Sequence, residues 1–418
     1  MRVLIFAPAG YPPQGPEGLV TAKLVQAMLS HGLSLDMITC GNHVRPYPQP
    51  KNGLWKSVEE AAVVLTPHGG YSFDEIWHRT RGAFRTGHVC HGLAWVDGAV
   101  SVAETLAAKR GGYDLLMSRS NPDYAHLPAL VAARRWKLPW ICNWSDPLPD
   151  HKLPPPYGAG PSSRLGVFEW RFLRAVSREA SWHTFTCQRQ RKYMAGYLGP
   201  KVYEQSTVVP HLGMPPQERI GACVATGSLK LVHLGTMNSA RNPLCLLEGL
   251  RLFVSSAGAP PRIEVDFVGA PDDLVMTAAK RSGVSEFVRV LPPQDYETTW
   301  RTLGSYDVLL VVEAPCDEGI FLPSKFVDYV QTGRPVLAVS PKRGTLADIL
   351  NSDGGGIAAD NRDPRSVAKA IGIMYDAWTH GKLEARWGSA HLQAQFSQAA
   401  VLSEYDKVLD MVGCHVRA

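Results

Sequence analysis

Along the chain, short apolar runs of about five residues alternate with longer stretches in which apolar positions recur every three or four residues. The first pattern belongs to strands buried on both faces and the second to amphipathic helices, so the alternation predicts βα units and parallel sheets. The clearest unit is 306–340, YDVLLVVEAPCDEGIFLPSKFVDYVQTGRPVLAVS. An apolar run at 308–312 meets an acidic, glycine-containing loop at 313–320. A helix opens at Pro323-Ser324, Gly333 stops it, and a second apolar run follows at 336–339. Ligands of such sheets sit beyond the carboxyl ends of the strands, so the 313–320 loop is expected to face a site.

The same alternation fills the rest of the chain. A strand at 2–7 leads into a loop, PAGYPPQGPEG, and then a helix at 19–30. Further strands are predicted at 35–39, 115–117, 140–143, 183–186 and 204–209, with helices at 99–109, 126–136, 167–180 and 188–197. The stretch 41–86 is irregular and rich in Gly, Pro, His and aromatic residues. Its composition suits a loop with binding groups, Tyr71, Phe73, Trp77 and the nearby Trp95 being candidates to stack on a ligand. A second series opens at 230 with strands at 230–234, 263–268, 287–291, 308–312, 336–339 and 356–359. The fold class is therefore α/β, with a domain at 1–212, a Pro/Gly-containing linker at 213–228 and a second domain at 229–394. The remaining 395–418 reads as a helix packed outside its own sheet.

Length supports two domains, since 418 residues exceed one ordinary core and divide into two of roughly 200. Hydrophobic content of 45% and charged content of 19% describe a globular protein rather than a disordered or collagenous one. The net charge of +5 comes in short basic clusters, such as Arg134-Arg135-Trp136-Lys137, and nothing resembles a nucleic-acid module, so nucleic acid is not an expected partner. Eight cysteines without a CxxC pair read as reduced thiols of a cytoplasmic protein. No stretch reaches the roughly 18 apolar residues a membrane span needs, so membrane contact at the inner face would be peripheral.

Candidate chemistry gathers at the predicted strand ends. Gly235 closes a strand, Arg241 follows six residues later and Asn242-Pro243 opens a helix, so Arg241 is placed to clamp a diphosphate over a helix N-terminus. Lys325, beside Ser324, sits in the first turn of another helix, a poor place for a cation unless an anion is there too. Of the acids Glu313, Asp317, Glu318 and Asp328 around the same edge, Asp328 suits a ribose and Glu318 a donor sugar. In the first domain Gly15 and Gly18 let backbone approach a ligand. His91 and Asp146 are candidate polar groups of the cleft, able to relay a proton or bind an acceptor hydroxyl.

The segments KLVHLGTMNSARNPLCLLEGL, VDFVGA and EGIFLPSKFVDYVQTGRPVLAVS resemble the donor half of GT-B glycosyltransferases, in particular the retaining family four, also called group 1. VVPHLGM is similar to that family's interdomain segment. The resemblance implies two Rossmann-like domains facing a cleft, with a terminal helix crossing back to the first. It implies a nucleotide-diphosphate sugar as donor, no required metal, and a saccharide, glycolipid or small-molecule acceptor. It would make the ligand of Tyr71, Phe73, Trp77 and Trp95 a saccharide or a lipid-linked acceptor. It assigns Gly235, Arg241, Ser324, Lys325 and Asp328 to the donor, and Gly15 and Gly18 to the loop that meets donor and acceptor. The family carries two glutamates separated by seven residues. Asp328 takes the second place here, but Ile320 occupies the first, so the sugar contact passes to Glu318 or to the backbone of Gly319 and Ile320. Retention needs no side-chain base; inversion would call on Asp146 or His91. A nucleotide-sugar epimerase, a phosphorylase on the same scaffold and an inactive sugar- or nucleotide-binding protein are the alternatives.

Overall fold

The computed structural model describes residues 1–41, 55–66, 73–214 and 227–415. Its first sheet has seven strands, β1 (Arg2–Phe6), β2 (Ser34–Cys40), β3 (Ala62–Leu65), β4 (Leu115–Arg119), β5 (Trp140–Trp144), β6 (Trp182–Phe185) and β7 (Ser206–Val208), in the order β3-β2-β1-β4-β5-β6-β7. The second has six, β8 (Leu229–Leu234), β9 (Ile263–Val268), β10 (Val288–Leu291), β11 (Val308–Val312), β12 (Val336–Ser340) and β13 (Gly356–Asp360), in the order β10-β9-β8-β11-β12-β13. All pairings are parallel. Strand order reverses between β1 and β4 in one sheet and between β8 and β11 in the other. At such a reversal the connections leave on opposite faces and a crevice opens beyond the carboxyl ends.

The continuous apolar runs are explained by cover on both faces. Leu4 and Phe6 of β1 pack into a core with Leu116, Trp140 and Phe185, while Val3 and Ile5 pack on the other side with Met37, Leu115 and Ile141. In the second sheet Leu310 and Val312 face Leu231 and Phe267, whereas Leu309 and Val311 meet Phe326 and Tyr329 of the Ser324–Gln331 helix. Each such buried side chain contributes about 1.5–3 kcal/mol. Val401, Leu402, Tyr405, Val408 and Leu409 of the Gln398–Met411 helix join the core of Val3, Ile5 and Val25, so that helix packs on the first sheet rather than the second.

The stretch expected to be irregular differs from its expectation. It contains the short Lys56–Ala61 helix, the edge strand β3 and the Phe73–Thr86 helix, while 42–54 and 67–72, with Tyr71, lie outside the described residues. Trp95 is no saccharide platform: it is 2% exposed and its indole N–H donates to Thr39 O at 3.1 Å. The Phe73–Thr86 helix escapes recognition from pattern because its apolar stripe does not face the core.

Candidate active site

The carboxyl ends of the two sheets open on one cleft. Two cavities in it share a wall of Pro16, Arg241, Ser324 and Lys325. The first, about 230 Å³, is bordered by Gly15 from the Gly15–Ser30 helix and by Gly235, Val268, Gly269, Pro293, Trp300 and Asp328. The second, about 300 Å³, lies among Glu17, Asp146, Leu153, Tyr157, His211 and Glu313. Gly235, with φ +91°, turns the chain out of β8, and a Cβ there would stand 3.5 Å from Lys325 Nζ. The missing side chain keeps the space over that cation open.

Arg241 reaches the shared wall from the turn after β8, where its backbone N–H donates to Asn238 Oδ1 at 2.8 Å. Its Nη2 donates to the Tyr157 hydroxyl at 3.1 Å and lies 3.5 Å from Glu313 Oε2. Arg241 Nε and Glu313 Oε1 are both buried and have no hydrogen-bond partner among the described residues. Buried polar atoms are rarely left so. An anion beside Arg241 and a hydroxyl beside Glu313 would satisfy them.

Lys325 follows Pro323 and Ser324 into the first turn of its helix. Its Nζ donates to Leu234 O at 2.6 Å and to His233 Nε2 at 3.3 Å. His233 Nδ1 lies 3.2 Å from Leu310 O, which assigns the proton to Nδ1 and leaves Nε2 as the acceptor. Burial, with Lys325 and Arg241 nearby, holds the His233 pKa well below its ordinary value. Burial also pushes Lys325 down to about 7, the Arg241 charge adding to the effect and Glu313 opposing it. Two cations share a buried site that favours their charge only when an anion arrives.

Two carboxyls of the second cavity, Glu17 and Asp146, have raised pKa values. Burial pushes Glu17 up to about 7 against the pull of Arg119, 3.7 Å away; the Ser145 hydroxyl donates to it at 3.1 Å. Asp146, two residues beyond β5, is also raised by burial, partly offset by Asn121 and Arg241. His211 is pushed down to about 3 by burial, Arg119 and Lys23 contributing, so it is neutral near pH 7. At about 7 the Glu17 carboxyl can donate to or accept from hydroxyls, which suits a polyhydroxylated ligand. Among the described residues no group of three or more His, Cys, Asp or Glu side chains is placed to hold a metal ion.

Residues 15–210 match the model of the glycosyl transferase 4-like domain. HepE from Anabaena, solved in complex with UDP and glucose, is 14% identical, with 98% of this chain and 99% of that chain covered at a TM-score of 0.66. Sucrose-phosphate synthase from Thermosynechococcus elongatus is 14% identical over 99% of each chain, at 0.62. A glycosyltransferase from Rickettsia africae is 10% identical over 98% of each, at 0.65. At such identities the structural likeness is one of fold. No curated protein matches the sequence. The chain has the two-domain fold of these glycosyltransferases.

Within this fold the residues singled out by sequence fare differently. Arg241, Lys325 and Ser324 come together on the wall between the cavities, Gly15 and Gly235 border the first, and Asp146 lines the second. Gly18 lines neither. A Cβ there would stand 3.0 Å from Ala9 O and 3.2 Å from Pro12 O, so its role is close packing of the loop. Asp328 borders the first cavity, but Oδ1 accepts from Lys23 Nζ at 2.8 Å and Oδ2 from the Tyr296 hydroxyl at 2.9 Å. Oδ1 also accepts from Met214 N–H at 3.3 Å, so the second lone pair of Oδ2 is what a ribose would use. His91 is exposed in the turn before the Leu93–Arg110 helix and lines neither cavity, because Gly92 turns the chain into that helix.

The 318–320 loop departs furthest from its expectation. Glu318 pairs with Arg189 of the Gln188–Leu198 helix, and Arg189 also clasps Asp348 at 2.6 and 2.8 Å. Gly319 N–H donates to Arg343 O at 2.8 Å, and its carbonyl accepts from Thr345 N at 2.8 Å. Ile320 is 1% exposed, its carbonyl accepting from Cys187 Sγ at 3.0 Å. None of the three lines either cavity; the turn after β11 carries them to the seam between the domains, and the acid that reaches the cleft is Glu313. Glu318→Gln is therefore expected to leave donor KM and kcat within about twofold and to lower stability by less than about 1 kcal/mol, the usual worth of a part-exposed ion pair. Steady-state kinetics and a melting curve check this; a large rise in donor KM would return Glu318 to the site.

Glu17, Tyr157, His211 and Glu313 are the members of the second cavity that pattern did not pick out for a role. Glu17 stands one residue from Gly18 in the Gly/Pro loop, Tyr157 in PPPYG and His211 in VVPHLGM. Their positions in loops beside strand ends are the available signal. Their convergence is a property of the closed cleft.

Proposed function

We propose that the protein moves a sugar from a nucleoside-diphosphate sugar to an acceptor hydroxyl, with retention at the anomeric carbon. The observation that carries this reading is the shared wall: Arg241 and Lys325 stand together between two cavities, with Arg241 Nε and Glu313 Oε1 buried and unpartnered among the described residues. The nucleotide fits the first cavity, its base against Val268, Pro293 and Trp300 and its ribose toward Asp328. The diphosphate lies over Gly235 between Arg241, Lys325 and the start of the Ser324–Gln331 helix. The sugar then projects past Glu313 into the second cavity, where the acceptor enters beside Asp146, Glu17 and Tyr157.

In the reaction the bond from the anomeric carbon to the diphosphate oxygen breaks and a bond to the acceptor oxygen forms. The acceptor proton passes to a phosphate oxygen, and the nucleoside diphosphate departs. Arg241 and Lys325 favour the negative charge that builds on the leaving group, and a cleft closed by Lys23–Asp328 limits water. Inversion would instead use Asp146 as base. The division of labour we propose gives residues 1–212 and the Gln398–Met411 helix to the acceptor and 229–394 to the donor, joined through 213–228. The free cysteines fit a reducing, cytoplasmic setting.

HepE has been solved in complex with UDP-glucose, which makes uridine-diphosphate sugars the first donors to test. A thermal-shift screen of nucleotides and nucleotide sugars is expected to raise the melting temperature for one nucleotide base selectively. At a ligand concentration of 100 times Kd the added stability is about 2.7 kcal/mol. Stabilisation by none of them, or turnover of a disaccharide by free phosphate, would replace this reading.

A further inference from the structure

We propose that the outer face of the first domain docks on an anionic lipid bilayer, so that a lipid-linked acceptor enters the second cavity from the membrane surface. The inference rests on the transferase reading for the acceptor, but the docking face stands on its own geometry. In the Phe73–Thr86 helix the large apolar side chains point outward: Phe73 is 82% exposed, Ile76 50%, Trp77 54% and Phe84 85%. At about 100° per residue these positions fall within a sector about 100° wide, one continuous stripe. The polarity is reversed relative to an ordinary surface helix. The inner side carries the charges: Arg81 Nε donates to the fully buried Asp97 at 2.8 and 2.9 Å, and Arg85 Nη1 at 3.1 Å. Ion pairs tie the helix down and its aromatic face is left to solvent.

A second helix of the same domain also exposes apolar side chains. Val167, Phe168 and Trp170 at the start of Val167–Glu179 are 73%, 56% and 47% exposed, with the Arg174 guanidinium 4.7 Å from the Trp170 ring. Beneath the surface His88, two residues past the first helix, lies 6.0 Å from the buried Phe172 of the second, and its neighbour Val89 is 50% exposed. Arg164, Arg171 and Arg174 are exposed around this helix and form no ion pair among the described residues. Aromatic side chains that enter the headgroup layer, beside arginines free to meet phosphate, match an anionic bilayer in both polarity and charge. No helix among the described residues is long and apolar enough to cross a membrane, so contact is at the surface.

The face also leads to the cleft. Glu169 caps its own helix through Gly166 N–H at 2.8 Å and lies 3.7 Å from His151, and the loop that follows His151 supplies Leu153 and Tyr157 to the second cavity. A bilayer under the two helices would lie one loop from the acceptor entrance.

The full chain can be tested by co-sedimentation with vesicles of phosphatidylcholine alone and of phosphatidylcholine with phosphatidylglycerol. Binding is expected only to the anionic vesicles, to weaken with salt, and to fall about tenfold in either Trp77→Ser/Phe84→Ser or Arg171→Glu/Arg174→Glu. Melting temperature and stabilisation by UDP-glucose are expected to match the parent chain in both variants. No binding to anionic vesicles, or binding unchanged in both variants, would overturn the proposal. So would sedimentation velocity showing a dimer that the aromatic variant dissolves, since the face would then belong to a second copy. Failure of the transferase reading would appear as lost nucleotide-sugar stabilisation with vesicle binding intact.

Discussion

Arg241→Ala is expected to lower kcat/KM by about two to three orders of magnitude, the usual loss when one donor to developing negative charge is removed. The side chain ties three things together: the Tyr157 hydroxyl at 3.1 Å, Glu313 at 3.5 Å and a buried Nε directed at the site. Removing it leaves Glu313, 8% exposed, without its cation, so some of the loss could come from disorder in the second cavity. Arg241→Lys separates the effects, because a point charge keeps the ion pair but cannot fork between phosphate and tyrosine. If kinetics with the selected nucleotide sugar showed Arg241→Ala within about threefold of the parent, the diphosphate assignment would fail.

Donor binding is expected to take up close to one proton per site at pH 8, through Lys325. Burial and the Arg241 charge hold this amine at about 7, so at pH 8 most of it is neutral in the empty site. A bound diphosphate favours the ammonium and raises its pKa, so affinity should weaken as pH climbs from 7, by up to about tenfold per unit until the bound-state pKa is passed. The same depression has a stability consequence. Between about 7 and the unfolded value near 10.4 the unfolded chain holds a proton that the native chain lacks, so this group makes stability rise with pH across that window. Calorimetry of nucleotide-sugar binding in two buffers of different ionisation enthalpy counts the protons. Lys325→Met should abolish the uptake and weaken binding near pH 7; equal uptake in parent and variant would assign the proton elsewhere.

Much of the wall between the cavities was legible in the order of residues. Arg241 lies in the turn after β8, and Ser324 and Lys325 open a helix after β11; beyond a parallel strand such positions face the crevice whatever the rest of the chain does. The second cavity was not legible in that way. His91 and Asp146 looked alike, each a polar residue beside an apolar stretch, yet Asp146 lines the second cavity and His91 is exposed in a turn. Glu318 and Glu313 lie in one loop, and only the path of the turn after β11 decides that Glu313 faces Arg241 while Glu318 crosses to Arg189. The Phe73–Thr86 helix was missed in a third way. It lies in a stretch read as irregular, and its apolar side chains are left exposed while Asp97 draws Arg81 and Arg85 inward.

The sequence by itself determined the two parallel sheets, their approximate limits and the presence of a cation beyond a strand end in the second. These depend on local periodicity and on short-range turns, which the neighbouring residues settle. Tertiary structure alone decided which acids share a cavity, that Lys23 and Tyr296 hold Asp328, and that Arg241 and Lys325 meet on one wall. Lys23 and Asp328 are 305 residues apart along the chain. Contacts of that span, and the pKa shifts that follow from burial, arise only when two domains close on each other and exclude water.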